Sequence, residues 1–358
     1  MNTFGENIKL CIFGQSHAPC IGVTIDGLCA GTPIDEEYVA KIMALRAPGS
    51  SPLATKRKEP DKVEFLSGVV DGKSVGTSVC AIIRNSDSHS SDYSSIFKKP
   101  RPSHADYPAY VRYGDDFDLR GGGQFSGRLT APICIAGAIA LPLLSQKGIE
   151  ISCHILSIKD VCDKPFSPTD DEKELCDRLN GVSFPVIDGD AEEKMIKTIV
   201  CASEELDSVG GVIECKITGL PAGVGEPMFG GIENVISRMM FGIPAVKGIE
   251  FGAGFAGTSL FGSQFNDNYY YDEKGNVRTK TNNAGGICGG MATGMPVIFR
   301  VAIKPTPSIA KIQETVDLEK GENCTIEIKG RHDPCIVSRA SVVVRAAAAF
   351  AIYDILEN

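Results

Sequence analysis

The stretch Lys99–Ala131, KPRPSHADYPAYVRYGDDFDLRGGGQFSGRLTA, places a histidine, four arginines and three consecutive glycines close together. Arg101, Arg112, Arg120 and Arg128 supply cations, and Gly121, Gly122 and Gly123 can take positive φ and let backbone N–H groups approach a ligand closely. The chemistry this suits is anion binding. Past Arg128 the chain is almost wholly apolar through Leu144, with Pro132 early in the run, which predicts a helix whose unpaired N-terminal N–H groups face the loop. Phosphate or carboxylate oxygens are natural ligands for such a terminus. The plainer alternative is a surface glycine turn with solvated arginines.

Two further groups of residues could do chemistry. Ile8–Phe13 reads as a short strand that ends in Gly14-Gln15-Ser16-His17-Ala18-Pro19, so His17 arrives at a strand end within a turn, either as a working residue or as a cap for backbone groups. Near the other end, Thr281–Gly286 and Gly289-Gly290 are followed by a strand, Val297–Ile303, and then by Lys304-Pro305-Thr306-Pro307-Ser308. Backbone amides, a lysine and hydroxyls converge there, a set suited to a phosphate or a flavin ring edge. Arg331-His332-Asp333-Pro334-Cys335 and Arg339 lead into an alanine-rich terminal helix.

The elements that carry these residues follow from periodicity. Ile21–Asp26, Val63–Leu66, Ser78–Arg84, Ile149–Ile158, Gly211–Ile217 and Thr325–Ile328 read as strands. Asp35–Arg46, Glu192–Leu206 and Gly231–Phe241 read as helices, with Arg46 at the end of the first. His154 alternates into an apolar face and is expected to be structural; His89, in SDSHSSD, is expected to be exposed. The basic segment around Lys56, Arg57 and Lys58 is either a solvated run or a lid over an anionic ligand. Residues 160–192, polar and broken by prolines, predict a variable surface loop. Gly252, Gly254 and Gly257 fit G-x-G-x-x-G, but the polar, aromatic SLFGSQFNDNYYYDEKGN follows where a Rossmann site needs a helix.

Composition narrows the function. The chain has 358 residues, 39 of them glycine and none tryptophan, and a net charge of −9, with a pI of about 5.2. A broad surface for nucleic acid or anionic membrane is excluded, while a small basic pocket is not. The amino terminus shows no signal-peptide pattern, and no uninterrupted apolar run reaches membrane-spanning length, so a soluble, cytoplasmic protein is expected. The 13 cysteines are scattered with no C-x-x-C, which points to free thiols in a reducing compartment and no zinc site. Glycine content favours an α/β or α+β enzyme over a helical bundle.

Taken together, these residues resemble the chorismate synthases over essentially the whole chain. The family's F-G-E-S-H-G appears as Phe13–Ala18, R-P-G-H-A-D as Arg101–Asp106, and D-S-x-G-G as Asp207–Gly211. I-P-A-V-K-G appears as Ile243–Gly248, T-N-N-x-G-G-I as Thr281–Ile287, K-P-T as Lys304–Thr306, and G-R-H-D-P-C as Gly330–Cys335. The resemblance implies one α+β domain over residues 1–358, a β-α-β sandwich with helices between antiparallel sheets, assembled as a homotetramer. The implied reaction is the anti-1,4-elimination of phosphate from 5-enolpyruvylshikimate 3-phosphate to chorismate, in the shikimate pathway, with reduced FMN required.

By the same resemblance His17, His104 and Asp333 are catalytic, and Ser16, Arg46, Arg128 and Arg339 bind substrate. Ser126, Gly127, Ala245, Gly289, Lys304, Pro305, Thr306, Pro307, Ser308 and Arg331 hold FMN. Arg46 also matches a family position tied to a nicotinamide cofactor, so NADPH bound here and an external source both stand as reductants of the flavin. The family's G-G-G-R-S-S-A-R-E-T-A reads Gly121–Ala131 here with Gln124, Phe125 and Leu129 in place of arginine, serine and glutamate; Gln15 replaces glutamate, and Pro52 stands where arginine is frequent. Two other readings compete: a flavin-binding homologue that has lost the elimination, and a cysteine hydrolase using Cys335 and His332.

Overall fold

The computed structural model describes residues 2–47, 61–85, 98–118, 120–328 and 333–357. The basic segment expected as a lid, Pro52, His89, Arg331 and His332 lie outside the described residues. Two five-stranded antiparallel sheets flank a layer of helices. The first has the order Thr3–Phe4, Lys9–Gly14, Cys20–Asp26, Val79–Arg84, Val63–Ser67. The second runs Val246–Phe251, Val297–Ile303, Gly211–Thr218, Glu150–Ile158, Val161–Cys162. This is the α+β sandwich expected from the resemblance.

Eight helices occur among the described residues: α1 (Glu36–Arg46), α2 (Asp106–Tyr113), α3 (Thr130–Gln146), α4 (Lys173–Leu179), α5 (Gly189–Glu204), α6 (Ile232–Met240), α7 (Gly262–Phe265) and α8 (Val337–Leu356). α3 is apolar on every side and so must be enclosed. It packs against α1, α8 and the Cys20–Asp26 strand, while α8 covers the Glu150–Ile158 and Gly211–Thr218 strands. The two long helices touch backbone to backbone: a Cβ on Gly137 would fall 2.2 Å from the Ala346 carbonyl oxygen. Small side chains at Ala346–Ala349 permit that approach. The helical stretch Arg120–Gln146 is apolar enough to cross a membrane, yet 78% of its most apolar window is buried inside the fold, as a core helix would be.

Strand alternation sends Ile21, Val23 and Ile25 inward from the first sheet, and Ile151, Cys153 and Ile155 from the second, all into one continuous core. The outer face of the second sheet is covered as well. There the sequence expectation fails, because residues 160–192 are not a plain surface loop. Phe166, Cys176 and Leu179 build a small core of their own with Leu175 and Ile187, and α4 forms within it. Beneath this cover His154 is fully buried, its Nδ1 3.0 Å from Asp163 Oδ2 and its Nε2 3.0 Å from Glu214 Oε2. Burial alone would lower the pKa of this imidazole, but the hydrogen bonds to the two carboxylates raise it on balance. His154 is structural, as its alternation suggested.

Other boundaries shift modestly. The last strand covers Glu322–Ile326 and pairs with Gln313–Asp317, which periodicity did not single out. After Gly252 comes a short 3₁₀ turn, Gly254–Ser259, then the single-turn α7 and a hairpin of Tyr269–Tyr271 with Val277–Thr279. No dinucleotide-binding helix forms there.

Candidate active site

The triple glycine is the centre of the site. Gly121, Gly122 and Gly123 have φ of 62°, 88° and 54°, so the loop takes a path closed to side chains with a Cβ. A Cβ on Gly121 would lie 2.2 Å from His17 Cε1 and 2.6 Å from Ser16 Oγ. On Gly122 it would lie 3.6 Å from His104 Nε2 and 3.7 Å from Ser126 Cβ. Adjacent glycines thus carry the two histidines on one turn.

Each histidine is aimed by its neighbours. The turn bearing His17 closes with Ala18 N donating to the Gln15 carbonyl at 3.0 Å and docks on the loop through Ser16 N donating to the Gly123 carbonyl at 3.2 Å. Gln15 Nε2 donates to Asp118 Oδ2 at 2.7 Å, and Asp118 accepts from Arg120 Nε and Nη2, both at 2.8 Å. Asn85 Nδ2 donates to the Ala18 carbonyl at 2.7 Å while its Oδ1 accepts from Arg128 Nε at 3.2 Å, so one side chain ties the His17 turn to Arg128. His104 precedes α2, with Nδ1 2.6 Å from Asp106 Oδ1.

Arg46 and Arg128, expected to bind substrate, share a partner inside the chain. One carboxylate, Asp61, receives Nη1 of both. Arg46 is only 2% exposed, and its Nε donates to Thr130 Oγ1 at 3.2 Å and its Nη2 to the Gly127 carbonyl at 3.1 Å. Burial lowers its pKa, with Asp61 opposing. Its guanidinium is therefore engaged on all three nitrogens as a brace beneath the glycine loop and the start of α3. Held this way, Arg46 positions the loop that carries the histidines, its buried charge paired by Asp61. Arg339 reaches from α8, donating from Nε to the Arg46 carbonyl at 3.1 Å and from Nη1 to Asp333 Oδ2 at 2.8 Å.

The predicted flavin contacts divide. Lys304 N donates to the carbonyl of Ala245, which has a φ of 74°. Lys304 Nζ donates to the Ser103 carbonyl at 3.1 Å, next to His104. Burial, and then the Lys247 charge, lower the pKa of this amine. Thr306 Oγ1 donates to the Asp333 carbonyl at 2.8 Å, and Ser308 Oγ accepts from Arg101 Nη1 at 3.1 Å. Pro305 and Pro307 lie in this same turn. Ser126 and Gly127 join through the glycine loop, where a Cβ on Gly127 would meet nothing within 4 Å. Gly289 lies in the turn joining Ile287–Cys288 to Met291–Ala292, with Gly290 against Glu226 and Gly231.

Sequence reasoning missed Asp61, Asn85, Thr130 and Lys247. Lys247 carried a signal as the cation of I-P-A-V-K-G, and Thr130 as the threonine of G-G-G-R-S-S-A-R-E-T-A. Cys335 is buried, and desolvation pushes its thiol up to about 12, so it is no nucleophile at neutral pH.

Two imidazoles, a carboxylate and several arginines around an amide-rich loop can hold a multiply anionic molecule and deliver a proton to a leaving oxygen. The fold and site suit an enzyme acting on a phosphorylated, multiply anionic substrate. The family model described as chorismate synthase matches residues 8–356. The chorismate synthase of Korarchaeum cryptofilum (strain OPF8) is 46% identical over 351 residues, covering 98% of this chain and 96% of that protein. That of Cytophaga hutchinsonii (strain ATCC 33406) is 43% identical over 356 residues, covering 99% and 96%. A crystal structure of chorismate synthase superposes with a TM-score of 0.78 at 27% identity, covering 98% of this chain and 92% of the other. The chain belongs to the chorismate synthase family.

Proposed function

We propose that this chain converts 5-enolpyruvylshikimate 3-phosphate to chorismate by anti-1,4-elimination of phosphate, acting over residues 1–358 as one domain in a cytoplasmic homotetramer with reduced FMN. The observation that carries this reading is the seating of His17 and His104 on adjacent glycines of one anion-suited loop. Reduced FMN, when bound, supplies electron density to the breaking C–O bond and takes up the ring hydrogen, with no net redox change.

The residues present fit that cofactor. Lys304 offers a partly buried cation for its phosphate, Ser126, Thr306 and Ser308 offer hydroxyls, and Gly127 and Ala245 offer backbone groups that a methyl side chain does not remove. Arg331 completes this set by the motif it belongs to. NADPH serves as reductant where reduction occurs on the chain.

His17 gives a proton to the departing phosphate, which leaves poorly as a bare trianion. Arg128 and Arg339 hold the substrate's anionic groups, with Ser16 beside His17, while Arg46 and Asp61 keep the loop in place. His104 turns its Nε2 toward the flavin site, where it takes up and hands on a proton, and Asp333, oriented by Arg339, assists removal of the ring hydrogen. The 13 cysteines, all free, suit a reducing compartment. Anaerobic mixing with substrate and chemically reduced FMN tests the reading: chorismate and inorganic phosphate appear in equal amounts if it is right, and neither appears if the chain only binds flavin. Sedimentation velocity tests the tetramer.

A further inference from the structure

We propose that Asp106 is the positioning residue of His104, fixing the imidazole so that Nδ1 carries the hydrogen and a bare Nε2 faces the glycine loop. The inference rests on the reading of His104 as a working residue and goes beyond it.

The carboxylate of Asp106 is 2% exposed and fully occupied. Oδ2 accepts from Arg101 N at 3.1 Å and Arg101 Nε at 2.7 Å; Oδ1 accepts from Arg101 Nη2 at 2.8 Å and faces His104 Nδ1 at 2.6 Å. Four acceptor positions therefore meet four partners, about the capacity of a carboxylate. Arg101 Nη2 also lies 3.0 Å from His104 Nδ1, so the arginine and the carboxylate compete to define that nitrogen.

The shorter contact decides. A carboxylate can only accept, and at 2.6 Å a bare Nδ1 would set two lone pairs against each other. Nδ1 must then donate to Asp106, and the Arg101 contact is a packing one. Burial would favour a protonated Asp106, yet the hydrogen bonds from Arg101 and then His104 hold its pKa well below the usual carboxylate range, so it stays an acceptor. Arg101 continues to Ser308 Oγ, linking this pair to the Lys304–Ser308 turn. Since Nε2 is 3.6 Å from where a Gly122 Cβ would stand, the bare nitrogen points at the loop's open side.

The substitution Asp106→Asn separates geometry from charge. The Oδ2 side meets two Arg101 donors and the Oδ1 side meets one plus the imidazole, so the new amide keeps its oxygen at the first place and turns its NH₂ toward His104. Nδ1 must then accept, and the hydrogen moves to Nε2. A wrong tautomer in a triad-like arrangement costs up to about 10⁴ in rate.

The experiment is nitrogen-15 NMR of the histidine side chains in the full-length protein, with the His104 signals assigned by their loss in His104→Gln. Wild type should show a protonated Nδ1 and bare Nε2 in the neutral ring, and Asp106→Asn the reverse. Turnover should fall roughly 10²- to 10⁴-fold in Asp106→Asn, with no further loss when it is added to His104→Gln. A wild-type ring protonated on Nε2 overturns the proposal without any variant having to fold. So does an Asp106→Asn protein with unchanged tautomer and rate beside an impaired His104→Gln. An unimpaired His104→Gln would instead refute the functional reading of His104.

Discussion

Arg339 Nη1 donates to Asp333 Oδ2 across 2.8 Å, so the α8 helix orients the carboxylate assigned to removal of the ring hydrogen. Arg339→Met should lower kcat/KM for the phosphorylated substrate by about 10- to 10²-fold, as loss of charged hydrogen bonds of about 1.5–3 kcal/mol implies. Steady-state kinetics checks this. Thermal melting should move little, because both side chains are partly open to solvent at 20% and 13%.

The glycine loop should distinguish its members sharply. In Gly121→Ala the new methyl would sit 2.2–2.3 Å from two ring atoms of His17, at a φ of 62°, so turnover should fall by about 10²-fold or more. Gly127→Ala meets open space with no positive φ and should keep activity within about twofold. Parallel assays with circular dichroism decide; equal losses in both would mean that the loop is only a hinge.

His154 should make stability depend on pH. Its folded pKa lies above the ordinary value of about 6.5, so its contribution is fully present below that pH and disappears as pH rises through the folded value. Urea melts of wild type and His154→Gln from mildly acidic to alkaline pH should show a gap of about 3–5 kcal/mol that narrows upward, since the variant leaves two buried carboxylates short of a partner. A gap that widens with pH would contradict this.

The chain ends are pinned together by Asp354, whose carboxylate accepts backbone N–H groups of Glu6, Asn7 and Ile8 at 2.8–3.1 Å. Asp354→Ala should cost on the order of 3 kcal/mol, read from the denaturation midpoint. Hydrogen exchange at Asn7 and Ile8 should quicken.

What the sequence made legible was local. The strand before His17, the helix ending at Arg46, the apolar α3 and the alanine-rich α8 all follow from periodicity and turn residues, because each is decided within a few neighbours. Asp106 lies two residues from His104, so their pairing was within reach of the motif. The partners of Arg46 were not legible, because they stand 15 residues away at Asp61, 81 at Gly127 and 84 at Thr130, where no spacing rule operates. Residues 160–192 read as a loop since their few apolar side chains are too sparse for a period; only the polar outer face of the second sheet reveals why Phe166 must lie over it.

The most direct test of the proton chemistry is anaerobic turnover with chemically reduced FMN, following chorismate and phosphate together in wild type and His17→Ala. Equal amounts of both products from wild type, with a loss of roughly 10²-fold or more in the variant, are the expected result. Unchanged turnover in His17→Ala would contradict the assignment of the leaving-group proton to His17, and flavin binding without either product in wild type would contradict the elimination itself.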